Sequence, residues 1–186
     1  MFQIPDSIQW VRDQAECLFD EAQVEKALDN MAANISHQLK DLCPVIMCVM
    51  NGGLIVSGKL LTRLDFLLHV DYLHATRYQD EITGTDILWK AEPVTDLKGR
   101  VVLIVDDILD EGLTLETIVE YCECRGAKKV MSAVLVDKKH NRKQSSIQAD
   151  FVGLEAGDHY LFGYGMDYKG YLRNASGIYA VKGEHA

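Results

Sequence analysis

Runs of lysine and arginine are missing from this chain, and acidic side chains outnumber basic ones, 28 to 19, for a formal net charge of −9. Binding to nucleic acid or an acidic membrane would work against that repulsion, with a local basic patch as the one electrostatic route left. No apolar run reaches the roughly 20 residues that span a bilayer. The start, Met1-Phe2-Gln3-Ile4-Pro5-Asp6, has neither the basic residues nor the apolar core of a secretion signal, so a cytoplasmic protein is expected. The five cysteines are odd in number and form no CxxC pair, which agrees with a reducing compartment and with packing thiols. His37, His69, His74, His140, His159 and His185 show no ligand spacing with cysteine, so a structural zinc site has little support. Repeats, low-complexity tracts and linkers are also absent, and residues 1–186 read as one domain with a single substantial core.

What is present is concentrated in one stretch. Val101-Val102-Leu103-Ile104-Val105 is a continuous apolar run, the pattern of a strand covered on both faces in a parallel sheet. Asp106, Asp107 and Asp110 follow it, and then Gly112 and Thr114. Leu115, Ile118, Val119 and Cys122 recur at helical spacing, with Thr114 placed to cap the helix and Gly126 to end it. A strand, a short glycine loop and a helix N-terminus make an anion-binding turn, because the first amides of a helix lack intrahelical partners. Carboxylates beside that turn would repel a phosphorylated ligand unless a divalent cation or sugar hydroxyls lie between them, which points to a magnesium-bound sugar phosphate. The segment alone also admits a receiver-type domain that accepts phosphate on Asp.

The periodicity elsewhere predicts a helix from Asp20, with Val24, Leu28, Met31, Ile35 and Leu39 on one face. It predicts a strand over residues 45–50 ending at Asn51-Gly52-Gly53, a helix through Leu60, Leu61 and Leu64, and strands over residues 66–73 and 130–136. Strands alternating with helices imply an α/β fold with a parallel sheet and right-handed crossovers. Residues 77–85 are polar and without periodicity, as in a mobile loop, and residues 151–180 are expected to form a small subdomain.

The stretch from Asp106 to Thr114 resembles the phosphoribosyl-pyrophosphate (PRPP) motif of type I phosphoribosyltransferases. Asn51-Gly52-Gly53, the Tyr78 loop, Val136-Asp137-Lys138, Phe151-Val152-Gly153, Asp167-Tyr168 and Arg173 follow the order seen in hypoxanthine-guanine phosphoribosyltransferases of bacterial type. The resemblance implies a central, mainly parallel sheet flanked by helices over a core of about 20–150, a purine-binding hood from 151–180 and a flexible lid. It implies purine salvage by transfer of the phosphoribosyl group from PRPP to N9 of hypoxanthine or guanine, with Mg2+, in a homodimer or homotetramer. The alternatives on this fold are a xanthine- or guanine-preferring transferase and a PRPP-sensing regulator that binds nucleic acid.

By the same resemblance, Asp106 and Asp107 meet the ribose hydroxyls or magnesium, and Asp110 is the general base at purine N7. Asp106, Asp107, Asp110, Glu111, Gly112, Leu113 and Thr114 hold the ribose and its 5′-phosphate. Asn51, Gly52 and Arg173 contact pyrophosphate, in a loop whose Met50–Asn51 bond is expected to be cis. Lys138 donates to the purine's exocyclic oxygen, Tyr160 stacks on the ring, Leu161 offers backbone groups to its edge, and Asp167 holds a second magnesium or its water. Arg77 and Tyr78 form the lid. Three residues depart from the family pattern: Glu111 for a hydroxyl residue, Asn51 for a cation and Arg77 for serine, with Glu111 expected to point to solvent. Loss of pyrophosphate leaves positive charge on the ribose, which nearby carboxylates stabilise. A lysine donor in a desolvated pocket penalises adenine, whose amino group is also a donor.

Overall fold

The computed structural model describes residues 5–77 and 87–183. Along the chain come α1 (Asp6–Gln14), β1 (Glu16–Phe19), α2 (Glu21–Leu39), β2 (Val45–Val49), α3 (Gly53–Leu61), β3 (His69–Arg77) and β4 (Ile87–Ala91). Then follow β5 (Val101–Leu109), α4 (Leu113–Cys124), β6 (Lys129–Lys138), β7 (Phe151–Ala156), β8 (Leu161–Phe162) and β9 (Ile178–Ala180). A six-stranded sheet runs in the order β4-β3-β2-β5-β6-β7, parallel except at the β3–β4 pair. A smaller antiparallel sheet runs β1-β9-β8.

The apolar run at 101–105 is fully covered because alternate residues face two cores. Leu103 and Val105 pack with α2 and α3 residues, including Leu28, Ile35, Val56 and Leu60. Val102 and Ile104 pack with Leu115, Ile118 and Cys122 of α4. Helix α2 starts where expected: Asp20 Oδ1 accepts from the Gln23 amide at 2.8 Å while Gln23 Oε1 accepts from the Asp20 amide at 3.0 Å, a reciprocal capping box. Helix α4 differs at its start. Thr114 lies inside the first turn and Gly112, at φ 92°, takes the cap position, because the turn out of β5 needs left-handed backbone there. Gly126 ends that helix as expected, with Gly126 N–H donating to the Glu123 carbonyl and Ala127 N–H to that of Cys122.

The strand expected over residues 66–73 is shifted. Phe66 and Leu68 pack on the core as a link, and β3 begins only at His69. It continues through His74 and Thr76 because β2 pairs along its first half and β4 along its second. Neighbouring backbone, not apolar pattern, holds this end extended. The expected subdomain over 151–180 is also divided. β7 joins the large sheet beside β6, whereas β9 pairs with both β1 and β8, and Ile8 and Val11 of α1 pack on Phe162, Tyr168 and Val181. The second layer is therefore built from both ends of the chain.

One ionic cluster ties these parts together. Glu25 on α2 accepts hydrogen bonds from Lys59 of α3, from Arg63 Nη2 at 2.5 Å and from the Tyr164 hydroxyl at 2.6 Å. Burial raises the Glu25 pKa, but the bonds from Lys59, Tyr164 and Arg63 outweigh it and bring the value from 4.5 down to about 2. A lowered carboxylate pKa stabilises the fold above the unfolded value, and the contribution is lost as pH falls from about 4.5 toward 2. We expect Glu25→Ala to cost about 2 kcal/mol at neutral pH, where charged hydrogen bonds are lost. Urea unfolding at several pH values checks this: the gap between variant and wild type should close on acidification.

Candidate active site

The parallel strands end on one edge of the sheet, where ligands bind in open α/β folds. Asp106 and Asp107, near the end of β5, lie there, and the Asp107 amide donates to Asp106 Oδ1 at 2.9 Å. Asp107 is only 7% exposed. Burial pushes the Asp106 carboxyl well above its ordinary value, and the adjacent Asp107 charge adds to that. Burial raises Asp107 as well, opposed in part by Asp106 and by the positive charge of Arg173.

The loop after β2 lies directly against this pair. The Met50–Asn51 peptide is cis, as expected. A Cβ on Gly52 would stand 2.3 Å from the Asp107 carboxylate, and one on Gly53 would stand 2.4 Å from the Val105 carbonyl. Gly165, at φ 110°, presses on the same loop from the other side, where its Cβ would fall 2.0 Å from the Gly52 carbonyl. The glycines thus permit close packing of loop, strand and smaller layer, whatever they do for an anion.

Lys138, the last residue of β6, is buried, so it is not a surface lysine. Its Nζ donates to Asp110 Oδ2 at 3.0 Å and lies 3.5 Å from Asp158. His140 Nε2 lies 2.6 Å from the other Asp110 oxygen. Burial raises the Asp110 pKa, but Lys138 and then His140 outweigh it and hold the carboxyl below its ordinary value.

Across the opening, Tyr160 is half-exposed and meets Tyr168 edge-on, while Leu161 is buried in β8. Asp167 forms an ion pair with Arg173 Nη2 at 2.5 Å and accepts from the Gly170 amide at 2.6 Å. Arg173 also donates to the Gly165 carbonyl at 2.5 Å, so it braces the turn that touches Gly52.

A cavity of about 550 Å3 brings together Asn51, Gly52, Asp106, Asp107, Asp110, Thr114, Lys138, Tyr160, Leu161, Asp167 and Arg173. Glu111, Gly112 and Leu113 line an adjoining hollow of about 320 Å3 formed by the turn itself, which shares Asp106, Asp107, Asp110 and Thr114. Glu111 does not simply face solvent: its carboxylate lies 3.5 Å from Arg142, and its carbonyl accepts from the amides of Gln144 and Ser145. Arg77 ends β3, and Tyr78 with the rest of the expected lid lies outside the described residues.

Sequence reasoning passed over several residues at this site. His74, Thr76 and Lys90 line the cavity near Asn51. Burial and the positive charges of Lys90 and Arg173 push the His74 imidazole below its ordinary value, so this end of the cavity is cationic despite Asn51. Nothing in the local sequence marks Lys90, because β4 reaches the site only by folding back along β3. His140, Arg142 and Asp158 could have been suspected from their nearness to Lys138 and Tyr160.

The phosphoribosyl transferase domain model matches residues 14–169. The chain is 32% identical over 171 residues to the hypoxanthine-guanine phosphoribosyltransferase of Bacillus subtilis (strain 168), covering 91% of this chain and 94% of that relative. The chain belongs to this phosphoribosyltransferase family. A solved hypoxanthine-guanine-xanthine phosphoribosyltransferase superposes with a TM-score of 0.83 at 27% identity, over 90% of this chain and 97% of that one. A hypoxanthine phosphoribosyltransferase from Staphylococcus aureus shares the fold at a TM-score of 0.87 and 24% identity, over 97% of each chain. The type I phosphoribosyltransferase fold expected from the PRPP motif is the one observed, and the receiver-type reading falls away.

Phosphoribosyltransferases of this kind generally use Mg2+ with PRPP. Among the described residues no group of three or more His, Cys, Asp or Glu side chains could hold a metal alone. Asp106 and Asp107 still offer hard oxygen donors in the cavity. That donor set fits Mg2+, which takes one or two carboxylates and completes its shell with substrate oxygens and water.

The contacts of Gly52 predict a sharp contrast within eight residues. Gly52→Ala should cost about 1–3 kcal/mol through overpacking on Asp107. Gly58→Ala, exposed on α3 with nothing within 4 Å, should stabilise by about 0.5–1 kcal/mol. Paired thermal melts of the two variants measure the difference.

Proposed function

We propose that this family member is a purine-salvage enzyme that transfers the phosphoribosyl group from PRPP to N9 of hypoxanthine or guanine, releasing pyrophosphate. The observation that carries the reading is the meeting of a glycine turn at a helix N-terminus, the acidic pair Asp106 and buried Asp107, and a buried Lys138 at one cavity. The names of the relatives support the same activity. The 5′-phosphate sits on the Gly112–Thr114 amides and the Thr114 hydroxyl. The diphosphate lies toward Asn51, Gly52 and Arg173, where Lys90 adds positive charge and His74 a neutral imidazole. Bound Mg2+ would neutralise charge on the diphosphate beside Asp106 and Asp107, with Asp167 holding a second ion or its water.

Asp106 and Asp107 face the ribose, where positive charge grows as the bond to pyrophosphate breaks. Asp110 accepts the N7 proton while N9 bonds to the ribose carbon. Lys138 donates to the exocyclic oxygen, Tyr160 stacks on the ring and Leu161 meets its edge. The lid, with Arg77 and Tyr78, closes over the diphosphate and excludes water. The cytoplasm supplies these substrates, and no helix among the described residues is long and apolar enough to cross a membrane.

We place a second copy of the chain on the α3 side of β3. Val70 and Tyr72 stand on the same face as Ile46 and Cys48, but α3 packs on β5 and β2 and leaves them 56% and 49% exposed. Leu88 and Leu54 are also exposed, at 44% and 53%. Light scattering should find a dimer or tetramer that Tyr72→Glu dissociates; an unchanged mass for that variant would rule out this face.

Ultraviolet assays with PRPP, Mg2+ and each of hypoxanthine, guanine, xanthine and adenine test the activity. Turnover is expected with the first two, and none with any base would overturn the enzyme reading. Asp110→Asn should lower kcat by roughly 10²–10⁴-fold, the usual worth of a general base, with little change in PRPP affinity. Equal losses in both would assign Asp110 to binding or loop ordering.

A further inference from the structure

The Asp110 carboxylate is gripped by more than its lysine. Lys138 Nζ holds Oδ2 at 3.0 Å, His140 Nε2 holds Oδ1 at 2.6 Å, and Arg142 Nη2 stands 3.6 Å from Oδ1. Asp158 draws on the same cations, at 3.5 Å from Lys138 and 2.5 Å from Arg142, and Glu111 lies 3.5 Å from Arg142. Among these groups the His140 side chain is the most enclosed, only 2% exposed. Both of its ring nitrogens are used.

The second nitrogen decides its chemistry. His140 Nδ1 receives the Arg142 backbone N–H at 2.9 Å. An amide nitrogen can only donate, so Nδ1 carries no proton and the ring hydrogen sits on Nε2, aimed at Asp110. A doubly protonated ring would set Nδ1–H against the Arg142 N–H. His140 is therefore a fixed donor and not a proton relay.

We propose that His140 is a positioning residue that holds the Asp110 carboxylate ionised and correctly turned to accept the proton of the bound base. This rests on the transferase reading above. Lys138 cannot do it alone, because in that reading its ammonium is shared with the exocyclic oxygen of the purine when the base arrives. His140 keeps Oδ1 anchored during that change, and a carboxylate held at both oxygens cannot rotate away from N7. In the step itself the N9–ribose bond forms, and the ribose–pyrophosphate bond breaks with its electron pair leaving on pyrophosphate. The N7 proton passes to Asp110 and afterwards to water; His140 keeps its own proton throughout.

Wild type, His140→Leu and His140→Gln test this by carboxyl NMR titration of Asp110 and by kcat against pH. Gln can still present an N–H to Oδ1 and Leu cannot. Loss of a donor to the ionised form raises a carboxyl pKa, so in the Leu variant the Asp110 titration and the acid limb of kcat should move up by roughly one pH unit. Gln should restore both. A folded Leu variant with an unmoved Asp110 titration overturns the proposal. If that variant does not fold, the wild-type 15N spectrum of His140 decides: an Nε2–H tautomer bonded to Asp110 upholds the proposal and an Nδ1–H tautomer overturns it. Absent turnover with every 6-oxopurine would defeat the transferase reading, a result separate from these two NMR readings.

Discussion

Two adjacent carboxylates held out of water at the end of β5 set the terms for everything around them. Asp106 and Asp107 cannot separate, because they are neighbours in a strand that is still paired with β6 at Asp106 and Ile108. Their burial makes each charge expensive, and the Asp107 charge makes that of Asp106 more so. Such a pair is tolerable only beside compensating positive charge. Arg173 supplies some of it from the smaller layer, and the residues fit a divalent cation that would supply the rest.

The compensation has to be close, and the glycines make it so. Gly52 lets the cis-peptide loop lie on the Asp107 carboxylate, and Gly165 brings the smaller layer onto that loop. Arg173 then ties the layer to itself through the Gly165 carbonyl while presenting charge to the acidic pair. Tyr164, next in the chain to Gly165, reaches back to Glu25, so the same turn is anchored to α2 and α3 from behind. The two layers are joined through the site, and its geometry is inseparable from the packing of the fold.

Of the three residues that the resemblance sets apart, Glu111, Asn51 and Arg77, the surroundings of two are defined. Glu111 brings an acid to the turn after β5, but Arg142 faces its carboxylate, and Gln144 and Ser145 hold its carbonyl. Asn51 brings no charge to the loop after β2, yet Lys90 and Arg173 make that end of the cavity cationic. The same loop after β6 that carries Arg142 also carries His140, so one segment meets both Glu111 and Asp110.

The pattern of apolar residues determined the central strands, the helices at Asp20 and Leu115, and the acids that follow residue 105. Those features are local: burial on two faces, helical spacing and capping leave their mark on consecutive residues. The route of β3 past Leu73, the pairing of β4 and the joining of β1 with β8 and β9 left no such mark. They depend on backbone hydrogen bonds between distant segments, which any side chain can satisfy. So do the places of Lys90 and His140, each an ordinary polar residue until the tertiary fold carries it to a cationic cavity or a half-buried carboxylate. The sequence by itself determined which chemical groups this protein has. Only the tertiary structure decided which of them lie close enough, and dry enough, for their charges to act on one another.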